Sequence, residues 1–107
     1  MYNNIYPIIL GNNGSNLFGS ENDAILIYNL FYSFYLEDNI WKKPILYINN
    51  NVLIDNVLKT IKKINRNNLI LIYFSGHSCK NGRLQFHDKY YSNDCILTKI
   101  NSLKKKY

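Results

Sequence analysis

The chain has few residues that could crosslink it or bind a metal ion. Its 107 residues include two cysteines, two histidines, two prolines and one tryptophan. Two cysteines allow at most one disulfide, and no Cys/His array has the spacing of a zinc site. We therefore expect neither a metal nor a cofactor.

Long apolar segments are also missing. No run approaches the roughly 18 apolar residues of a membrane span, and the N-terminus lacks the charged region and the apolar core of a signal peptide. These absences predict a cytoplasmic protein in a reducing compartment, without a membrane partner. In that setting Cys79 and Cys95 are free thiols and do not form a bridge.

Acidic residues are scarce, with seven Asp and Glu against 13 Lys and Arg, a net charge of +6 and a pI near 9.3. Such a balance attracts anionic partners. However, the lysines are divided between one predicted helix (Lys59, Lys62, Lys63) and the tail (Lys104–Lys106), without a compact patch interleaved with aromatic residues. We interpret them as solvated faces and do not expect nucleic-acid binding.

The composition is biased, but it is that of a folded protein. Asn, Ile, Lys and Tyr make up about half of the residues, as expected of an AT-rich coding sequence. The many asparagines are then mostly a coding signature and do not mark a low-complexity segment. With 47% hydrophobic residues, residues 1–107 are expected to form one domain, either a fragment or a minimal unit.

Strand-like and helix-like segments alternate along the chain, which predicts an α/β fold with a partial parallel sheet flanked by helices. If the first and third strands are neighbours, right-handed crossovers give the strand order 2-1-3. The predicted strands are the apolar segments Ile5–Leu10, Pro44–Ile48 and Leu69–Ser75.

Helical periodicity predicts three helices. Ser20 to Asp23 resembles a capping box with Asp in place of Glu, and it is predicted to open the first helix. Thr98 is predicted to cap the third helix, and Asn81-Gly82 predicts a tight turn leading to Leu84-Gln85-Phe86. The buried faces are predicted to be Ala24, Ile27, Tyr28, Phe31 and Tyr35 in the first helix, Ile54, Val57, Leu58, Ile61 and Ile64 in the second, and Ile100, Leu103 and Tyr107 in the third.

The segment from Leu69 to Ser78 is the most informative part of the chain, because a buried strand ends there on Gly76 and His77. In open α/β sheets, functional groups collect just beyond the carboxyl ends of the strands. His77 therefore occupies the position of a general base. The alternative for an isolated histidine after a strand is a structural or turn residue.

Three segments resemble conserved motifs of the caspase and metacaspase superfamily of cysteine peptidases. Tyr73 to His77, after an apolar strand, resembles the histidine motif of the family. Leu17 to Ala24 looks like the leucine-x-glycine-x-x-asparagine-aspartate-alanine start of its first helix, and Tyr6 to Asn12 is similar to its opening strand. The three occur in the family's order and span about two thirds of the chain.

This resemblance implies a caspase-like three-layer α/β sandwich in which His77 is the base of a Cys/His dyad. It implies that backbone N–H groups, including that of Ser78, hold the oxyanion, although the family has glycine at this position. Leu17 stands where caspases place a substrate-binding arginine. The match is therefore metacaspase-like, and that branch typically cleaves after Arg or Lys.

The nucleophile of the family lies about fifty residues beyond the histidine in an aspartate-x-cysteine setting, and no such motif follows His77. We expect a large-subunit portion that ends before its catalytic cysteine and is inactive alone. Cys79 and Cys95 are interpreted as ordinary thiols, and His87-Asp88 as a solvated hairpin end.

The alternatives to a peptidase portion are a pseudo-peptidase that docks with a caspase-like partner and a decayed gene product. The expected partners are a peptide or protein substrate after completion by a C-terminal fragment, or a second chain that pairs with the third strand. The open edge of Leu69 to Phe74 suggests the second kind of partner.

Overall fold

The computed structural model describes residues 3–14, 19–78 and 81–104. It contains a three-stranded parallel sheet, a small two-stranded antiparallel sheet and three α-helices. In chain order the elements are β1 (Ile5–Asn12), α1 (Ser20–Glu37), β2 (Ile45–Ile48), a short 3-10 turn (Asn49–Asn51), α2 (Ile54–Lys62), β3 (Leu69–Gly76), β4 (Leu84–Gln85), β5 (Tyr90–Tyr91) and α3 (Asn93–Lys104).

The sheet has the predicted parallel order 2-1-3, so β1 is its central strand. All eight residues of β1 pair with β3, from Ile5 with Leu69 to Asn12 with Gly76. On the other side, β1 pairs with β2 over four residues, from Ile8 with Ile45 onward. The prediction of an α/β fold with this strand order is confirmed.

Pro7 is tolerated in the central strand because its missing N–H faces a gap in the ladder. Ile5 donates its N–H to the carbonyl of Ile40 and accepts at its own carbonyl from the N–H of Lys42. The backbone N–H and C=O groups of the odd-numbered residues of β1 therefore point toward β2. Regular pairing with β2 begins only at Ile8. The ring of Pro7 therefore removes no bond from the β1–β2 ladder.

Helices cover both faces of the sheet. Gly11 lies against α1, since a methyl group built at Gly11 would be 2.5 Å from the Cβ of Ala24. Successive strand residues point to opposite faces, and Ile8 and Leu10 pack on the other side in one apolar core. The buried members of this core come from β1, α2, the β4–β5 hairpin, α3 and the segment just before α2. They are Ile8, Leu10, Val52, Ile54, Val57, Ile61, Phe86, Tyr91 and Ile100.

The predicted start of the first helix is wrong by one position. Ser20 is buried as the first helical residue of α1, and Gly19 is the N-cap, without a side-chain cap. The N–H of Asp23 donates instead to the carbonyl of Gly19 at 2.9 Å. Tyr35, predicted to be buried, is 38% exposed, and its ring contacts Tyr32 of the same helix with centroids 5.6 Å apart.

The third helix begins at Asn93, five residues before the predicted cap at Thr98. The hydroxyl of Ser92 accepts from the N–H of Cys95 at 3.1 Å and so caps the helix. The hydroxyl of Thr98 instead donates to the carbonyl of Asp94, inside the helix. Ile100 is buried as predicted, while Tyr107 lies outside the described residues.

The other elements differ only slightly from the predictions. β1 and β3 extend to Asn12 and Gly76, and Ile64 lies beyond the end of α2. The turn predicted at Asn81-Gly82 is present, with Gly82 at a φ of +75°. In the described part of the chain, no helix is long and apolar enough to cross a bilayer.

Candidate functional site

The carboxyl ends of β1 and β3 meet at the point where the connections of the sheet change direction. The chain goes from β1 to β2 on one side, and then returns across β1 to β3 on the other side. In doubly wound sheets, ligands bind in the crevice outside such a switch point. Asn12 of β1 pairs with Gly76 of β3 there, and His77 follows directly.

His77 lies beside the loop that follows β1. A methyl group built at Gly14 would be 3.4 Å from Cδ2 of His77 and 3.0 Å from Oε1 of Gln85. Gly14 has a φ of +62°, a conformation that favours glycine. The imidazole of His77 is half-buried. Its location at the end of β3, next to the β1 loop, agrees with the sequence-based prediction.

Gly76 allows the backbone to pass close to β1 just before the histidine. A methyl group at this position would be 2.9 Å from the carbonyl oxygen of Asn12 and 2.9 Å from Cζ of Phe74. Both distances are below ordinary van der Waals contact. A larger residue at position 76 would therefore displace the backbone that carries His77.

The backbone of His77 is held by the small antiparallel hairpin. The N–H of Gln85 in β4 donates to the carbonyl of His77 at 2.9 Å. Ser78 and Leu84 face each other in an antiparallel bridge. Because this bridge uses the carbonyl of His77, it is a non-hydrogen-bonded pair, in which the N–H of Ser78 points away from Leu84. Ser78 is exposed.

Asn12 connects the central strand to the same hairpin. Its buried side chain donates from Nδ2 to the carbonyl of Gln85 at 2.9 Å and accepts at Oδ1 from the N–H of Gly14 at 3.3 Å. One amide thus joins the end of β1, the loop beside His77 and the strand that holds the carbonyl of His77. The role of this buried amide was not predicted from the sequence.

A second polar network fixes the other side of the β1 loop. Glu21 in the first turn of α1 accepts at Oε2 from Nδ2 of Asn13 at 3.3 Å and of Asn49 at 3.0 Å. The N–H of Glu21 donates to Oδ1 of Asn13 at 2.9 Å, and the N–H of Asn13 donates to Oδ1 of Asn49 at 3.0 Å. A carboxylate at a helix N-terminus is also favoured by the helix dipole. The network joins the loop after β1, the 3-10 turn after β2 and the start of α1.

The second histidine belongs to the hairpin end, as predicted. His87 and Asp88 are exposed between β4 and β5. The N–H of His87 donates to the carbonyl of Val52, and Oδ2 of Asp88 accepts from the hydroxyl of Tyr91 at 2.8 Å. Burial of Tyr91, together with this bond, raises the pKa of its phenol above the ordinary value. Asp88 therefore stabilises the hairpin.

Of the two cysteines, Cys95 is described and is an exposed thiol in the first turn of α3. Its position inside a helix corrects the expectation that it precedes one. Cys79, Leu17 and the side chain of Lys104 lie outside what the structure describes. In the described residues, no three His, Cys, Asp or Glu side chains lie close enough to hold a metal ion.

An open groove of about 620 Å³ lies between α1 and the start of β2. It is at the amino end of that edge strand, whereas His77 lies at the carboxyl end of the sheet beyond β3. None of its lining residues is His, Cys, Asp or Glu: Tyr28, Lys43, Pro44, Ile45 and Leu46. The groove therefore lies at the opposite end of the sheet from His77 and is not part of that site.

The fold and the site define an α/β protein with a histidine at the switch point of a 2-1-3 parallel sheet. Searches of protein-family models, curated proteins and solved structures found no match to this chain.

Proposed function

We propose that residues 1–107 form the histidine-bearing part of a caspase-like or metacaspase-like cysteine endopeptidase domain. In this proposal His77 is the general base, and the backbone N–H of Ser78 contributes to the oxyanion hole. The observation that carries the proposal is the position of His77 directly after β3, with its ring against the loop after β1.

Three features of the chain support this role. The parallel sheet of order 2-1-3, with helices on both faces, is compatible with part of the α/β sandwich that the resemblance implies. The half-buried ring of His77 remains accessible to a reactant. The N–H of Ser78 points away from its bridge partner Leu84, so the bridge does not consume this donor.

The nucleophile comes from a segment outside residues 1–107. Cys95 is exposed on α3 and follows no apolar strand, unlike the cysteine of the family. A base and oxyanion donors without a thiolate do not form an acyl-enzyme. The chain alone is therefore inactive, and a complementing segment supplies a fourth strand with an aspartate-x-cysteine motif.

The test is cleavage of fluorogenic peptides with Arg, Lys or Asp before the scissile bond, with and without calcium. The chain alone is expected to give no turnover. Coexpression with a segment encoded downstream, if it carries the aspartate-x-cysteine strand, is expected to give turnover that His77→Ala abolishes.

The matched control is His87→Ala, because His87 is the only other histidine and lies at the exposed hairpin end. This variant should keep its turnover. Activity of the chain alone that depends on Cys79 or Cys95 would contradict the proposed source of the nucleophile. A complemented enzyme unaffected by His77→Ala would contradict the role of His77.

A pseudo-peptidase that binds another chain is the second candidate, and the edge of β3 favours it. Leu69 donates its N–H to the carbonyl of Asn4, so the backbone N–H and C=O groups of the odd-numbered residues of β3 point toward β1. The N–H and C=O groups of Ile70, Ile72 and Phe74 then point to the open edge. No charged residue or proline protects this strand, and Ile72 is 38% exposed.

Strand addition at this edge is testable by light scattering coupled to size exclusion. The chain should associate as its concentration rises through the micromolar range, and Ile72→Lys should reduce association by placing a charge in the new interface. Leu97→Lys, at another exposed leucine, is the control. A monomer at every concentration, with rapid amide exchange along β3, would contradict this candidate.

A further inference from the structure

The outer face of α1 combines exposed leucines with acidic residues. Leu26 and Leu30 are 67% and 48% exposed, and Leu36 is 69% exposed. Asp23 and Glu37 are exposed at the two ends of the same face. We call this surface the acidic leucine face, and its members are Asp23, Leu26, Leu30, Ser33, Leu36 and Glu37.

The spacing of this surface suits a second helix. At 3.6 residues per turn, alternating steps of three and four residues stay on one side of a helix, which is the seam of a coiled coil. Five exposed positions follow these steps: Asp23, Leu26, Leu30, Ser33 and Glu37. Leu36 flanks the seam. The opposite side of α1 is already used, because Ala24 packs against Gly11 of the sheet.

The charge distribution selects the partner. Four of the seven acidic residues lie between Ser20 and Trp41, and this segment contains no Lys or Arg. The rest of the chain carries all 13 basic residues. Although the whole protein is cationic, this face is locally anionic, so it complements a cationic partner.

A second copy of the chain does not supply a matching surface. Antiparallel pairing of two α1 helices would set Asp23 of one copy against Glu37 of the other. Among the described residues of the basic helices α2 and α3, the one strongly exposed large apolar side chain is Leu97, at 56%. One leucine does not provide the repeated apolar positions of a helical seam.

We propose that the acidic leucine face binds a basic amphipathic helix of another polypeptide. The partner places leucine-like side chains against Leu26 and Leu30, and Lys or Arg opposite Asp23 and Glu37. The two carboxylates are fourteen residues apart along α1, or about 21 Å. The basic residues of the partner must span a similar distance.

The probe is a fluorescein-labelled 18-residue peptide of Leu and Lys, with leucines at the seam positions of the heptad. Its binding to the full chain is measured by anisotropy at low and physiological salt. Binding is expected, and Leu26→Gln combined with Leu30→Gln should weaken it at least tenfold. Leu97→Gln, at a comparable exposed leucine outside the face, should change it less than twofold.

Three further arms complete the test. Asp23→Asn with Glu37→Gln should weaken binding and reduce its salt dependence, and a Leu/Glu peptide of the same pattern should not bind. Equal binding of a sequence-scrambled Leu/Lys peptide, or equal loss in Leu97→Gln, would overturn the proposal. So would self-association of the chain that disappears in the Leu26/Leu30 variant, since it would identify a second copy as the occupant.

Discussion

Replacing Gly11 by Ala tests how tightly α1 packs against the central strand. The added methyl group would lie 2.5 Å from Cβ of Ala24 and 2.8 Å from the carbonyl oxygen of Ser20, whereas ordinary contact begins at 3.4 Å. Neither neighbour is the end of a flexible side chain. The start of α1 must therefore move away from β1 by about 1 Å, an overpacking change of the kind that costs about 1–3 kcal/mol.

The displacement also affects the network at the start of α1. The bonds of Glu21 to Asn13 and Asn49 are 2.9 to 3.3 Å long, and a shift of this size would weaken them. Each hydrogen bond contributes about 1 kcal/mol net. We expect Gly11→Ala to lower the free energy of unfolding by about 3 kcal/mol in urea denaturation followed by circular dichroism.

Gly19→Ala is the matched control, because a methyl group at this position meets nothing within 4 Å. Because Gly19 is the N-cap of α1, where alanine is less favourable than glycine, the change should cost less than about 1 kcal/mol. The double variant Gly11→Ala, Ala24→Gly should recover part of the loss, which appears as a favourable coupling in a double-mutant cycle. Equal stability of the Gly11 and Gly19 variants would refute the close packing of α1 on β1.

Two further predictions concern the hairpin. Phe86 is 2% exposed and lies between Phe74 and Tyr91, with ring centroids 5.8 and 5.0 Å away. Phe86→Ala should therefore lower the free energy of unfolding by about 3–5 kcal/mol, and Phe86→Leu by distinctly less. Equal losses in urea denaturation would contradict this packing. Folding raises the pKa of Tyr91, so its neutral phenol contributes fully to the free energy of unfolding below pH 10. This contribution is lost as the pH rises further, by up to about 1.4 kcal/mol per pH unit. Unfolding curves at pH 8 to 11 should show this slope in the wild type and a smaller one in Tyr91→Phe, and identical slopes would disprove it.

The sheet could be predicted because apolar strands leave strong local signals. Ile5–Asn12 and Leu69–Gly76 are continuous apolar runs that end in glycine and polar residues, and α/β connection rules then restrict their order. The location of His77 follows from the end of such a run. Its proximity to the loop after β1 could be predicted once the first and third strands were assumed to be neighbours.

The features that could not be predicted depend on which side chain reaches which backbone group. Ser92 and Thr98 are both capping residues by type, and only the fold determines that Ser92 caps α3 while Thr98 bonds inside it. Tyr35 has the right helical phase for burial, but periodicity does not show which positions of an apolar stripe the rest of the fold covers.

The asparagine hydrogen-bond networks could not be predicted from the sequence for a different reason. Asparagine is so frequent in this chain that no single position stands out in the sequence. Yet Asn12 bonds to Gln85 of β4, and Asn13 and Asn49 both bond to Glu21 of α1, around the carboxyl end of the sheet. These three amides have specific partners, which the frequency of asparagine in the sequence does not indicate.

The pairing of β1 with β3 also determines when the sheet can be completed during synthesis. Residues 7–12 of β1 are all buried in the final structure. The longest ladder of the central strand β1 is with β3 and begins at the pair Ile5 and Leu69. At 5–20 residues per second, a ribosome needs roughly 3–13 seconds to advance from one to the other. During this interval the strand that is most deeply buried in the final structure lacks the partner that will cover one of its edges. The time between the synthesis of these two strands therefore determines how long this edge of β1 stays unpaired.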